Sequence, residues 1–147
     1  MKKHILPLTY EPKIQAVIEG TCTQTIRPMN WSNQKKPGDL IMFHGWEGKP
    51  YRSKWSFRTP YWKLIEVIDV LIFPDRIVWH DENCNVGEFK GATIQDIARM
   101  DGFRDYSSMY QELKRMYGVN LDDMYFQILR WYRMKGLIVD ESGTSEY

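Results

Sequence analysis

The run YWKLIEVIDVLIF, residues 61–73, constrains the fold more than any other segment. Polar and apolar residues alternate at its start, and it then turns wholly apolar. That pattern suits a long strand buried at one end. Shorter strand-like runs surround it: HILPLTY, TCTQTIRP, DLIMFHGW, RIVWHD and DMYFQILRWYRM. Helical spacing is confined to three places. In YEPKIQAVIEG, Pro12 suits a first turn, Ile14, Val17 and Ile18 share one face, and Gly20 fits a left-handed stop. ATIQDIARMDGF carries Ile94, Ile97 and Ala98, and YSSMYQELKRMYG carries Met109, Leu113 and Met116 before Gly118. Strands outnumber what a parallel sheet with crossover helices needs, so the expectation is an α+β fold, a mixed β-barrel with flanking helices. EGKPYRSKWSFR reads as a long loop or a mobile hairpin, and ENCNVGEFKG as a loop.

At 147 residues the chain is expected to form one domain over 1–139, with DESGTSEY as an acidic, disordered tail over 140–147. The net charge of +1 excludes nothing by itself, but its distribution is uneven. Residues 1–63 hold 11 Lys/Arg against 4 Asp/Glu, and residues 64–147 hold 9 against 15. One basic and one acidic face are implied. Cys22 and Cys84 have no metal-pair spacing and read as reduced thiols of a cytoplasmic protein. No metal or cofactor is expected. Pro7 and Thr9 interrupt the first apolar run, and no run approaches the roughly 20 apolar residues that span a bilayer, so no membrane partner is expected.

Two groups of residues suggest chemistry. The first is EGTCTQTIRP, residues 19–28, read as a strand over 21–27. Alternation would put Thr25 and Arg27 on one face and Cys22, Gln24 and Ile26 on the other. Arg27 offers a fork of donors for a phosphate or a base edge, or a salt bridge to Asp101, Asp39 or another acid. Cys22 would be a nucleophile only if a nearby cation stabilised its thiolate; otherwise it is a small buried hydrophobe. Thr25 would need an adjacent base, and none is evident in the sequence around it.

The second is WEGKPYRSKWSFRTPYWK, residues 46–63, where Lys49, Arg52, Lys54, Arg58 and Lys63 are interleaved with Trp46, Tyr51, Trp55, Phe57, Tyr61 and Trp62. Cations that neutralise phosphates beside rings that stack on bases suit single-stranded nucleic acid. Trp31, Lys35 and Lys36 of the preceding loop would join this rim. Alternatively, half of these rings cap the core.

GTCTQTIRP, GDLIMFHGW, IARMDGF, LKRMYG and the final aromatic strand, in this order over roughly residues 5–134, resemble the ASCH domain, a branch of the PUA-like barrels. In its Gly-x-Lys-x-x-x-x-Arg signature, Gly20 and Arg27 stand at the matching positions, and Cys22 replaces the lysine. Members resembling acetylcytidine amidohydrolases imply a catalytic lysine, a threonine three residues later and a helical glutamate. Thr25 matches the threonine, Asp101 stands for the glutamate, and the lysine is missing. The resemblance also implies a strand irregularity near Thr23.

The leading expectation is therefore a module binding RNA or a nucleotide in a cleft beside Arg27, without chemistry of its own. The alternative is a nucleoside amidohydrolase or ribonuclease using Thr25, Asp101 and a lysine from elsewhere, with Lys49 and Lys54 as candidates. A third is an interaction protein with a degenerate pocket.

Overall fold

The computed structural model describes residues 1–46, 55–118, 120–132, 138–139 and 145–146. In chain order the elements are β1 (Lys3–Pro7), α1 (Glu11–Glu19), β2 (Gln24–Pro28), β3 (Leu40–Trp46), β4 (Trp55–Arg58), β5 (Trp62–Ile72), β6 (Arg76–His80), β7 (Val86–Lys90), α2 (Ala92–Met100), α3 (Tyr106–Tyr117) and β8 (Tyr125–Tyr132). The first eight strands form one mixed sheet. A separate two-residue pairing joins β9 (Ile138–Val139) to β10 (Ser145–Glu146), within and beside the segment expected to be a disordered tail. Among the described residues no helix is long and apolar enough to cross a membrane.

Strand β5 organises the sheet. One edge pairs antiparallel with β8 from Lys63 to Leu71; the other meets β3 at Trp62 and Lys63 and β6 from Asp69 to Ile72. A register shift between Leu64 and Glu66 leaves Ile65 unpaired and 57% exposed, the behaviour of a bulged residue. Strands β4 and β5 are antiparallel to the same edge of β3 and are interrupted at Pro60, which has no amide to donate. The Thr59 hydroxyl accepts from the Phe43 amide at 2.9 Å, substituting for a ladder carbonyl there.

The sheet does not close, so the expected barrel gives way to an open one. Strand β1 pairs with β3 in parallel, β2 pairs with β8, and no ladder joins β1 to β2 among the described residues. Both strands end in proline, Pro7 and Pro28, which limits the donors available along the gap.

Two cores flank the sheet. Helices α2 and α3 cover one, through Ile94, Ile97, Met109 and Leu113 against Val70, Ile72, Phe126 and Ile128. Helix α1 contributes Val17 to the other, beside Cys22, Ile41, Phe43, Leu64 and Leu129. Trp62 also lies in this second core, 3% exposed and stacked on Trp131 at 6.0 Å and 5°. Tyr61 is 8% exposed. These two rings are packing residues and not part of an exposed rim.

Two further expectations change. ENCNVGEFKG contains β7, paired antiparallel with β6. The strand expected over 21–27 begins only at Gln24, so Cys22 and Thr23 precede it. The irregularity anticipated near Thr23 is this late start.

Candidate functional site

Strand β2 pairs Thr25 with Leu129 and Arg27 with Gln127 on β8, so the two side chains project from the same face beside the open gap. Thr25 is 1% exposed. The helix α1 opposite begins with Glu11 and Pro12, and its next residue, Lys13, points inward and is buried. Gly20 ends that helix in a left-handed conformation at φ 87°, sending the chain straight into the segment before β2. The turn therefore places a lysine from α1 above a threonine 12 residues later.

Lys13 Nζ donates to Thr25 Oγ1 at 2.9 Å and to Asp101 Oδ2 at 2.7 Å. Asp101 occupies the C-cap of α2 and is 2% exposed. Gly102, at φ 89°, turns the chain away from it. Asp101 therefore has the helix-ending role legible in MDGF as well as the carboxylate role. Its Oδ1 accepts from Gln24 Nε2 at 3.1 Å, and Gln24 Nε2 also donates to the Ile97 carbonyl at 3.0 Å. Gln24 Oε1 accepts from Arg130 Nε at 3.0 Å, and Arg130 Nη1 meets Glu66 Oε1 at 2.5 Å. A continuous chain of polar contacts thus runs from the partly exposed Glu66 to the buried Lys13 and Thr25.

Arg27 completes the cluster. Its Nε donates to Thr25 Oγ1 at 3.3 Å and its Nη2 to the Pro7 carbonyl at 2.6 Å. This contact bridges the gap between β1 and β2. No carboxylate lies within ion-pair distance of Arg27 among the described residues, so the salt bridges weighed for it, to Asp101 or Asp39, are not formed. A cavity of about 190 Å³ opens beside these groups, lined by Leu8, Tyr10, Lys13, Thr25, Arg27, Asp101, Phe103 and Tyr117 among others. Tyr10 and Phe103 stack at 5.2 Å and 28° and form an apolar part of its wall.

Burial dominates the electrostatics. It pushes the Asp101 carboxyl above its ordinary 3.8, with Lys13 and Gln24 pulling it back. It lowers Arg27, although a guanidinium stays charged. It raises the Tyr117 phenol, against the opposing field of Arg27. Thr25 Oγ1 accepts from two cations, which uses both acceptor lone pairs and leaves its own proton to be directed elsewhere.

Cys22 plays a different part from the nucleophile considered for it. It is 1% exposed, and its single S–H is shared between the carbonyls of Gln24 at 3.2 Å and Met100 at 3.3 Å. Burial raises its pKa, Lys13 only partly offsetting this. A protonated thiol tying the start of β2 to the end of α2 is an inert packing group.

The basic and ring-bearing residues that the structure describes are not gathered at the cavity. Trp31 is 65% exposed and meets Tyr125 edge-on at 5.6 Å. Lys35 is 8% exposed, contrary to its expected place on an open rim; Lys36 and Arg58 are exposed. Trp46 is half-buried, with its ring edge-on to His44 at 4.8 Å. Lys49, Arg52 and Lys54 lie outside the described residues, as does the Trp55 side chain. Of these residues, the described ones, Trp31, Lys35, Lys36, Trp46 and Arg58, do not line the cavity.

Thr25, Arg27 and Asp101 are thus brought together as the sequence suggested, and Lys13 is the member it missed. Lys49 and Lys54, the candidates for the amine, lie outside the described residues, and Lys13 is the amine found beside Thr25 and Asp101. A signal was available: Lys13 and Val17 are four residues apart, hence on the same helical face. Val17 is fully buried, whereas Ile18, assigned to the buried face from spacing, is 40% exposed.

Comparison with family models, with curated proteins and with solved structures returns no match for this chain.

Proposed function

We propose that this protein is a small-molecule amidohydrolase whose nucleophile is Thr25, with Lys13 as proton carrier and Asp101 as its buried counter-charge. The observation that carries this reading is the pair of contacts from Lys13 Nζ, 2.9 Å to the hydroxyl and 2.7 Å to the carboxylate, at the wall of a cavity. A weak hydroxyl nucleophile needs an adjacent base held in place by a third group, and these residues supply both. The ASCH resemblance supports it as well, because Lys13 restores from a helix the amine that Cys22 removes from the strand.

The proton inventory balances. Asp101 takes a proton from the Lys13 ammonium, made easier by the burial that raises its carboxyl. The neutral Lys13 amine then accepts the Thr25 hydroxyl proton as Oγ1 adds to the amide carbon. Lys13 returns that proton to the departing nitrogen when the C–N bond breaks, leaving an acyl ester on Thr25. Water, deprotonated by Lys13, cleaves the ester, Lys13 passes that proton to the departing Thr25 Oγ1, and Asp101 returns its proton to Lys13; the net products are an acid and an amine. Arg27 Nε, 3.3 Å from Oγ1, stabilises negative charge growing on that oxygen. The cavity is smaller than the roughly 300 Å³ at which drug-sized pockets begin, so the substrate is of single-ring size or less where it is enclosed.

The test is hydrolysis of a panel of small acetamides, acetylated cytidine among them, followed by acetate release. Thr25→Ala and Lys13→Met are expected to lose about 10²-fold or more in kcat, with Thr25→Ser retaining part of it. An unchanged rate in folded Thr25→Ala would overturn the mechanism. So would absence of turnover on every amide. Tight, salt-sensitive RNA binding without turnover would instead favour the recognition module, whose cations include Lys36 and Arg58.

A further inference from the structure

We propose that the open face of the Arg27 guanidinium is an anion subsite, and that the substrate is a small amide carrying one carboxylate. The word substrate rests on the amidohydrolase reading; the subsite itself does not.

The donors of Arg27 are only partly used. A guanidinium has five N–H groups. One on Nε goes to Thr25 Oγ1 and one on Nη2 to the Pro7 carbonyl. Nη1 has no acceptor among the described residues. The nearby acids are committed elsewhere. Asp101 accepts from Lys13 and Gln24, and Asp39 accepts from His4 and from the amides of Lys2 and Lys36. Glu112, on the cavity wall, pairs with Arg115.

The charges at the cavity therefore do not cancel. Lys13 and Asp101 neutralise each other, Glu112 and Arg115 do the same, and the half-buried Arg27 remains as one positive charge with no carboxylate partner among the described residues. A second cation is near: burial lowers Lys35 first, and the field of Arg27 lowers it further. A half-buried guanidinium at a cavity wall with donors left over is matched best by an anion, and that partner belongs on the ligand. A carboxylate meets the remaining fork in its own plane and brings the single negative charge that balances the site. The cavity of about 190 Å³ leaves room for a short acyl group against Tyr10 and Phe103.

The experiment uses the full chain and an isosteric pair of probes, N-acetylglycinate and N-acetylglycinamide, in titration calorimetry at fixed salt. The carboxylate is expected to bind about tenfold or more tightly than the amide to the unaltered protein. Arg27→Gln should bring the two within about twofold, and Arg27→Lys should keep a reduced preference. Equal affinities in the unaltered protein would overturn the proposal, and this comparison needs no variant to fold. A preference that persists in Arg27→Gln would overturn it too, as would tighter binding of methyl phosphate than of N-acetylglycinate. Hydrolysis of neutral amides as fast as of carboxylated ones would remove the subsite and leave the amidohydrolase. Carboxylate binding with no hydrolysis of any amide would do the reverse.

Discussion

Asp39 and Asp101 are both buried carboxylates beside a basic side chain, yet they answer burial in opposite ways. Burial pushes both upward. At Asp39 it is outweighed, because His4 Nε2 at 2.8 Å and the amides of Lys2 and Lys36 at 3.1 Å together hold the carboxyl below 3.8. At Asp101 burial wins, although Lys13 is 2.7 Å away. Two backbone amides make the first group a clamp that joins β1 to the loop before β3. The second group has only side-chain donors and faces a cavity. A carboxylate that keeps its proton affinity high next to an amine is suited to exchanging protons; one saturated by amides is suited to holding chain segments.

The sharpest way to break this contrast is to remove one basic partner at a time. Lys13→Met leaves Asp101 without its cation and should cost about 3–5 kcal/mol in urea unfolding. The double variant Lys13→Met/Asp101→Leu should recover much of that loss, since an apolar pair removes the stranded charge. Simple addition of the two single losses would show that the pair is not coupled. Next in size, Asp39→Ala strands the amides of Lys2 and Lys36 and should cost about 1–3 kcal/mol, without changing catalysis at Thr25. A large fall in kcat there would mean that the two carboxylates do not divide their work as argued.

The pH response should differ in sign. Asp39 sits below 3.8 in the folded chain, so its stabilisation is complete above that value and fades as pH falls through the folded pKa. Asp101 sits above 3.8, so folding favours its protonated form; its contribution is fullest below 3.8 and is lost as pH rises through the folded pKa. Urea midpoints across the acid range should therefore show Asp39→Asn flattening the low-pH decline and Asp101→Asn flattening a decline on the higher side. Identical slopes in the two variants would contradict the opposite shifts. Smallest of all, Trp31→Ala and Lys36→Ala should change stability by no more than about 0.5 kcal/mol and leave amide hydrolysis alone. A marked effect on hydrolysis would bring the exposed rim into the site.

What the sequence revealed follows the range of the interactions. The three helices were legible because their signals are local: Pro12 and Gly20 bracket α1, and Ile94, Ile97 and Ala98 define the buried face of α2. Strand β7 was not, since VGEFK is polar and contains glycine. Gly87 earns its place across the sheet instead: a Cβ there would lie 2.4 Å from the Trp79 ring, so that indole lies over bare backbone. The failure of the sheet to close was equally hidden, because closure depends on two edges far apart in the chain. At the site, Thr25 and Arg27 were legible by alternation along one strand, and Asp101 through the family resemblance. Lys13 was not, because its partner lies 88 residues away and a lysine in a first turn normally reads as solvated.

No ladder joins β1 to β2 among the described residues, and there a side chain spans the gap instead: Arg27 Nη2 donates to the Pro7 carbonyl, a bond of a kind that contributes about 1 kcal/mol net. The same guanidinium would hold a strand edge through one arm and an incoming anion through the arms left over. Closure of the gap and recognition of a ligand would then meet at one side chain.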